Sequence, residues 1–347
     1  MYIKKILLAI ALIGLLLMAG FAYYVYNAVF IPNTAFNNNE AHVYISTGAN
    51  FSDVLEELKP LLKDIVSFEA VANRKEYSVN IKSGHFIIKK GMNNNDIINS
   101  IRVGNVPILI KFNNQERIEN LAGNLANQLE LDSLSFLKVF RNKEYLAKNG
   151  FNQDNALSMF IPNSYEVYWN ISAKKFQERM YKEYQAFWNA NRTQKAIDLN
   201  LSKKQVISLA AIVQKETAKV DERSRVAGVY VNRIKKGMPL QADPTVIYSK
   251  KLLDKDFNQE IKRVLYKDLE LNSPYNTYQN TGVPPGPIAM PDISSIDAVL
   301  NFEQHDFYYF VADVKNFGYH NFAKTLAQHN RNKQQYVRWI SQNKVNR

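Results

Sequence analysis

Residues 202–216 read Ser-Lys-Lys-Gln-Val-Ile-Ser-Leu-Ala-Ala-Ile-Val-Gln-Lys-Glu, and this stretch predicts the helix around which the chain is built. Ser202 is followed three residues later by Gln205, a capping-box pattern that places the start of the helix. Apolar residues recur at helical spacing and mark the face that packs inward. Leu209, Ile212 and Glu216 follow the i, i+3, i+7 pattern, so the Glu216 carboxylate belongs to the same apolar stripe.

A carboxylate on an apolar stripe has unusual acid–base properties. Low-dielectric surroundings disfavour its charged form and raise its pKa. A raised pKa is what a general acid needs near neutral pH. The alternative for Glu216 is a structural ion pair at the helix end with a nearby base such as Arg223.

The residues after Glu216 predict a second helix and a polar loop. The second helix covers 221–236, with Asp221 as its N-cap and Gly237 at its end. Asp243 precedes Pro244, which is typical of an N-cap followed by proline at the first helical position. This arrangement places Gln241 and Asp243 beside two helix ends, where they can hold polar groups of a ligand.

A set of motifs spanning about a third of the chain resembles the MltG (YceG-like) family of endolytic murein transglycosylases. In chain order the motifs are Gln-Lys-Glu-Thr-Ala at 214–218, Asp-Glu-Arg at 221–223, Val-Asn-Arg at 231–233, Gly-Met-Pro-Leu-Gln-Ala-Asp-Pro-Thr-Val at 237–246, Tyr-Asn-Thr-Tyr at 275–278, Thr-Gly-Val-Pro-Pro-Gly-Pro-Ile at 281–288 and His-Asn-Phe-Ala at 320–323. The resemblance implies that Glu216 is the catalytic acid. It also implies cleavage of peptidoglycan glycan strands without water, and a role in ending strand elongation.

The implied reaction needs only one carboxyl group, which acts first as the acid and then as the base. Glu216 would protonate the oxygen between N-acetylmuramic acid and N-acetylglucosamine and then deprotonate the muramoyl C6 hydroxyl, which closes a 1,6-anhydro ring. Gln241, Asn276 and Tyr278 are the candidates for holding acetamido and hydroxyl groups of the glycan. Asp243 is either a helix cap or a charge that stabilises the cationic transition state.

Other assignments stay open at this stage. Glu222 and Arg223 are predicted to form an ion pair that orients Glu216, the alternative being a solvated helix start. A water-using muramidase would need a second carboxylate, with Asp243 or Glu222 in that role. A non-catalytic wall-binding scaffold is the third possibility, although the intact polar set around Glu216 argues against it. The sequence predicts no cofactor and no metal site.

The N-terminus predicts a membrane anchor. Residues 6–25 are uncharged and long enough to cross a bilayer. Lys4 and Lys5 precede them, and no Lys or Arg follows until Lys59, so residues 1–5 are expected in the cytoplasm and the chain after 26 outside the cytoplasmic (inner) membrane. A cleaved signal peptide is the alternative, but its apolar core is normally shorter, at about 7–15 residues. The chain has no cysteine, which excludes disulfides and thiolate metal sites.

The net charge of +12 does not indicate nucleic-acid binding, because the basic residues are spread along the chain without a recognised motif. A negatively charged wall polymer or lipid surface is a better match. The expected partners are therefore peptidoglycan strands and the membrane, with cell-wall synthases as candidates implied by the resemblance.

The sequence predicts an α+β protein. Its parts are a cytoplasmic N-terminus (1–5), a transmembrane helix (6–26), a linker (27–40), a small subdomain (41–104) and a helix-rich catalytic domain around a small sheet (105–347). Within the subdomain, strand, glycine turn and helix occur twice, 43 residues apart, beginning at Val43 and Phe86. This repeat resembles the family's LysM-like, glycan-binding subdomain, but the usual Asp-Thr-Leu after the glycine is missing, so a spacer role is an equal alternative.

Overall fold

The computed structural model describes residues 2–342, which form two compact units. The N-terminal unit contains residues 2–110 together with residues 128–130 and 165–171. The C-terminal unit contains residues 111–127, 131–164 and 172–342. Helices dominate among the described residues and the strands form small sheets, so the α+β class is confirmed.

The chain begins with helix α1 (Tyr2–Phe30), which has 29 residues. Its most apolar window has a mean hydropathy of 2.6, and its side chains are exposed as far as Tyr26. Length and composition make α1 compatible with a single-pass membrane anchor.

The rest of the N-terminal unit packs three helices on two antiparallel strands. These elements are β1 (Glu40–Ile45), α2 (Phe51–Leu58), α3 (Ile65–Arg74), β2 (Gly84–Lys89) and α4 (Asn94–Val103). The strand register runs from Glu40 opposite Lys89 to Ile45 opposite Gly84. Alternation along β1 buries Val43 and Ile45 against the helices, which is the pattern of a half-buried strand.

The predicted repeat is confirmed as a repeated backbone pattern. Gly48 after β1 and Gly91 after β2 have φ angles of 84° and 86°, a region that glycine adopts without steric cost. An asparagine then caps each following helix, Asn50 for α2 and Asn93 for α4. The two halves therefore share turn chemistry and helix start. A LysM-like glycan-binding role for this unit stays a prediction.

The segment predicted as a linker is bonded into the N-terminal unit. Asn94 donates to the carbonyl of Ala28 at 2.7 Å and accepts from Asn33 at 2.7 Å. Asn33 also donates to the carbonyl of Asp64 at 2.8 Å. Since Asn33 and Asn94 are both buried, the C-terminal end of α1 is held against the body of the unit by an internal polar cluster.

The remaining elements, in chain order, are β3 (Ile108–Phe112), α5 (Ile118–Ala126), α6 (Ser133–Phe140), α7 (Lys143–Lys148), β4 (Asn163–Val167), α8 (Ala173–Phe187), α9 (Ala190–Asp198), α10 (Lys203–Glu216), α11 (Arg223–Lys235), α12 (Asp243–Asp254), α13 (Ile293–Leu300), β5 (Tyr309–Ala312), β6 (His320–Ala323) and α14 (Leu326–Gln342). Strand β3 pairs with β4, and β5 pairs with β6 in antiparallel register. The described strands thus make three two-stranded sheets, where the sequence predicted one small sheet around the catalytic helices.

Helix α10 is the core helix of the C-terminal unit. Its capping box is present: Ser202 accepts from the Gln205 amide, and the Gln205 side chain accepts from the Ser202 amide. Residues 206–213 are all buried, because α10 packs against α9, α11, α12 and α13. The helix is therefore enclosed on more than the single face that the sequence predicted, and Glu216 is its last residue.

Candidate active site

Glu216 is a partly buried carboxyl group at the C-terminal end of α10. Its Oε1 accepts a hydrogen bond from the Tyr230 hydroxyl at 2.7 Å. Burial raises the pKa of Glu216 to about 7; the Tyr230 hydrogen bond and Arg233 lower this pKa, and the Asp243 charge raises it. A substantial fraction of Glu216 therefore carries a proton at neutral pH, as a general acid requires.

Helix α11 supplies two residues to this site, Tyr230 and Arg233, which lie on one face because they are three positions apart. Tyr230 is 2% exposed, and its ring packs edge-on against Phe310 of β5 with centroids 6.0 Å apart. Burial and the neighbouring Glu216 raise the pKa of Tyr230 well above its usual value. The phenol therefore keeps its proton and acts as a donor.

Arg233 fixes the loop that follows α11. Its guanidinium donates to the carbonyls of Tyr308 at 2.7 Å, Leu240 at 2.8 Å and Pro239 at 3.1 Å, and to the Gln241 side chain at 3.3 Å. Burial lowers the pKa of Arg233 from its usual value, yet a guanidinium stays charged in proteins. The loop is thus held by a buried cation that the sequence analysis did not single out.

The loop places Gln241 and Asp243 at the surface of the site. Gln241 is exposed and has a φ of 52°, and its backbone N–H donates to the backbone carbonyl of Thr277 at 3.1 Å. The Asp243 carboxylate is exposed and accepts from the Tyr278 hydroxyl at 2.7 Å. The structure therefore brings Gln241, Asp243 and Tyr278 into one neighbourhood.

The helix-cap interpretation of Asp243 is wrong. Helix α12 begins at Asp243 itself, Ala242 occupies the cap position, and no side chain makes a cap hydrogen bond. The Asp243 carboxylate is bonded to Tyr278 instead of to an α12 amide. The other candidate role of Asp243 depends on its negative charge. That charge lies close enough to Glu216 to raise the pKa of Glu216.

Two buried threonines explain why residues 275–278 reach α12. The hydroxyls of Thr245 and Thr277 are 2.8 Å apart, and Thr277 Oγ1 also accepts from the Ala242 amide at 3.0 Å. Both side chains are buried. Sequence reasoning missed this pair; the only signal was that both threonines lie inside the quoted motifs.

Asn276 has an internal position. It is 0% exposed, and its side-chain NH2 donates to the backbone carbonyls of Leu269 at 3.0 Å and Leu271 at 2.9 Å. Its side-chain oxygen accepts from the backbone N–H of Tyr278 at 3.0 Å. In this structure Asn276 therefore supports the loop that carries Tyr278 and presents no surface to a ligand.

The predicted ion pair between Glu222 and Arg223 is not found among the described residues. Glu222 is 5% exposed and binds His320 with both oxygens, at 2.7 Å to the amide and 2.9 Å to Nδ1. Arg223 donates to Ser294 at 2.8 Å and lies 3.7 Å from Asp292. The two side chains are consecutive and do not face each other, so each takes a partner far along the chain.

The second helix also starts later than predicted. Helix α11 begins at Arg223, and Asp221 accepts a hydrogen bond from the Tyr319 hydroxyl at 2.9 Å instead of capping the helix. Within residues 2–342, no group of three or more His, Asp or Glu side chains is arranged to hold a metal ion. The polar groups that converge on Glu216 are Tyr230, Arg233, Asp243 and Tyr278.

Comparison with known proteins identifies relatives that match most of the chain. The model of the YceG-like family matches residues 43–335. An endolytic murein transglycosylase of Bacillus subtilis (strain 168) is 44% identical over 132 residues, which are 38% of this chain and 34% of that protein. One of Streptococcus pneumoniae serotype 2 (strain D39 / NCTC 7466) is 25% identical over 372 residues, covering 97% of this chain and 66% of that protein.

A solved structure gives the same relationship in three dimensions. The crystal structure of a YceG-like protein from Listeria monocytogenes superimposes with a TM-score of 0.57 and 27% sequence identity, covering 85% of this chain and 99% of that one. The chain spans less than two thirds of the length of both curated relatives.

Proposed function

Since the chain belongs to the YceG-like family, we propose that it is an endolytic lytic transglycosylase that cleaves the glycan strands of peptidoglycan. Its relatives are named endolytic murein transglycosylases. The observation that carries the proposal is the Glu216 carboxyl group, which has a pKa of about 7 and one oxygen held by Tyr230.

In the first half of the reaction Glu216 is a general acid. It gives its proton to the oxygen that links C1 of N-acetylmuramic acid to N-acetylglucosamine. The C1–O bond breaks, its electron pair stays on the departing oxygen, and positive charge develops on the muramoyl ring. Asp243 is an exposed carboxylate whose charge acts on Glu216, and it stabilises this oxocarbenium-like centre by the same Coulombic interaction.

In the second half Glu216 is a general base. The Glu216 carboxylate takes the proton of the muramoyl C6 hydroxyl, whose oxygen attacks C1 and closes a 1,6-anhydro ring. The acid is regenerated, and no water is consumed. An attacking group on the same sugar has a high effective concentration, so one catalytic carboxyl group is sufficient.

Gln241 and Tyr278 are the proposed contacts for the glycan. Gln241 is exposed in a loop held by Arg233 and Thr277, and Tyr278 lies partly buried beside Asp243. An amide and a phenol can bond acetamido and hydroxyl groups. Asn276, Glu222 and Arg223 act behind this surface: Asn276 supports the loop of Tyr278, and the other two attach the start of α11 to residues 320 and 294.

A muramidase that admits water is the second candidate. It is favoured by one observation, the presence of Asp243 as a second carboxylate near Glu216. Glu222 does not fit that role, because His320 occupies both of its oxygens. The polar groups gathered around Glu216 also argue against a scaffold without activity.

We further propose that α1 anchors the chain in the cytoplasmic membrane, with the N-terminus inside and both units outside. The support is the apolar length of α1 and the positions of Lys4 and Lys5 before it. The proposed role of such an anchored enzyme is termination of glycan strand elongation beside cell-wall synthases.

Mass spectrometry of digested glycan strands tests the reaction. The wild-type chain is expected to release fragments with 1,6-anhydro-muramoyl ends, which are lighter by one water than the reducing ends left by a hydrolase. Purified Glu216→Gln protein serves as the control for contaminating enzymes. Reducing-end muramic acid as the main product would contradict the transglycosylase and favour the muramidase with Asp243.

A further inference from the structure

We infer that Tyr230 is a positioning residue that keeps the transferable proton of Glu216 on Oε2, the carboxyl oxygen that no described residue bonds. This inference rests on the proposed function of Glu216 and adds a group that determines which of its two oxygens reacts. It begins from the single hydrogen bond between the Tyr230 hydroxyl and Glu216 Oε1, 2.7 Å long.

The Tyr230 hydroxyl has one acceptor within the described chain. Its ring is enclosed between α10 and β5 and packs against Phe310, and no second hydrogen bond of the hydroxyl occurs among residues 2–342. Water has little access to a side chain that is 2% exposed. The hydroxyl hydrogen is therefore directed at Oε1 in both protonation states of Glu216.

An oxygen that already accepts a short hydrogen bond is a poor place for the carboxyl proton. The proton of neutral Glu216 accordingly sits on Oε2, and after the first transfer the same Oε2 is free to accept the C6 proton. Tyr230 thus makes one oxygen serve both halves of the reaction, while Oε1 carries charge stabilised by the phenol. The other groups that act on Glu216 are Asp243, Arg233 and Tyr278, none of which bonds Oε1.

Tyr230→Phe tests the inference, because it removes the hydroxyl and keeps the ring that packs on Phe310. Loss of one hydrogen bond to a charged group is expected to lower kcat by about 10- to 100-fold, with a much smaller change in KM. Since the Tyr230 hydrogen bond lowers the pKa of Glu216, the alkaline limb of the kcat profile should move to higher pH. A limb that stays in place or moves down would overturn the inference.

A second readout does not depend on activity. Infrared titration of the full-length protein in detergent follows the protonated carboxyl band of Glu216, assigned by its loss in Glu216→Gln. In Tyr230→Phe this band should persist to higher pH than in the wild type. The matched control is Tyr184→Phe, which removes the hydroxyl of another buried tyrosine, in α8, and should leave both profiles unchanged.

These measurements separate the inference from the proposed function. If wild-type product analysis shows hydrolysis but the Glu216 band still moves upward in Tyr230→Phe, the positioning role stands and the reaction assignment fails. If the products are anhydro sugars and the band does not move, Tyr230 is a packing residue and the inference fails.

Discussion

Glu216 and Asp243 are two acidic side chains that have the same kind of hydrogen-bond partner and different surroundings. Each accepts a hydrogen bond from a tyrosine hydroxyl at 2.7 Å, Glu216 from Tyr230 and Asp243 from Tyr278. Glu216 ends an enclosed helix and is partly buried, whereas Asp243 begins α12 at the surface. Burial raises the pKa of Glu216 to about 7, although the hydrogen bond from Tyr230 lowers it. The comparison teaches that at Glu216 burial outweighs the tyrosine hydrogen bond, so this carboxyl group can hold a proton at neutral pH.

The strongest test of this difference is Glu216→Gln. Glutamine keeps the shape and accepts from Tyr230 but cannot give and retake a proton, so kcat should fall by ~10³–10⁴-fold, at the upper end for acid–base assistance. Release of anhydro-sugar fragments from purified glycan strands measures the rate. Activity within a few-fold of wild type would remove Glu216 from the mechanism.

Asp243→Asn should have the next largest effect. It removes the negative charge that supports the cationic centre, and we expect a fall in kcat of about 10- to 100-fold. Because Asp243 raises the pKa of Glu216, the alkaline limb of the pH profile should move to lower pH, opposite to the shift expected for Tyr230→Phe. If Asp243→Asn and Tyr230→Phe shift the alkaline limb in the same direction, the opposite effects assigned to Asp243 and Tyr230 on the pKa of Glu216 are wrong.

Tyr278→Phe should cost less, about 3- to 10-fold in kcat, because Asp243 keeps its charge and loses only an orienting hydrogen bond. Tyr266→Phe is the matched control, since its side chain is 84% exposed. Steady-state kinetics of the two variants side by side provide the measurement. An unchanged rate in Tyr278→Phe would mean that the Asp243 carboxylate needs no orientation.

The smallest effect concerns stability. The pKa of Glu216 rises from 4.5 in the unfolded chain to about 7 in the folded one, so the folded state binds the proton more tightly and loses stability as pH rises between these values. Glu216→Gln should therefore be more stable than wild type above pH 7, by on the order of 1–2 kcal/mol given the partial exposure of the side chain. Thermal unfolding in detergent at pH 8 and pH 4 checks this; the advantage should vanish at pH 4.

The parts of the site that could be predicted are those fixed by local sequence. The capping box at Ser202 and Gln205 and the helical spacing of Glu216 depend only on neighbours along the chain. Asp243 shows the limit. An Asp-Pro pair is typical of a helix cap, but a tyrosine 35 residues away competes for the carboxylate and binds it. Such tertiary competition is invisible in a local pattern.

Glu222 and Arg223 show the same limit for a predicted contact between neighbouring residues. Adjacency in sequence suggested a pair, yet their partners His320 and Ser294 lie 98 and 71 residues away. The fold of the N-terminal unit was more predictable, because each half of its repeat carries its own glycine turn and asparagine cap. The three separate small sheets were not, since strand pairing is a long-range property.

The polar cluster of Asn33 and Asn94 has a mechanical consequence. Asn94 donates to the carbonyl of Ala28 in α1 and accepts from Asn33, which follows α1 in the chain. These hydrogen bonds restrict rotation of α1 relative to the rest of the N-terminal unit. If α1 spans a bilayer, its tilt becomes the tilt of that whole unit. Helix tilt changes with the hydrocarbon thickness of the bilayer. The orientation of the unit relative to the membrane surface would then depend on the thickness of the surrounding bilayer.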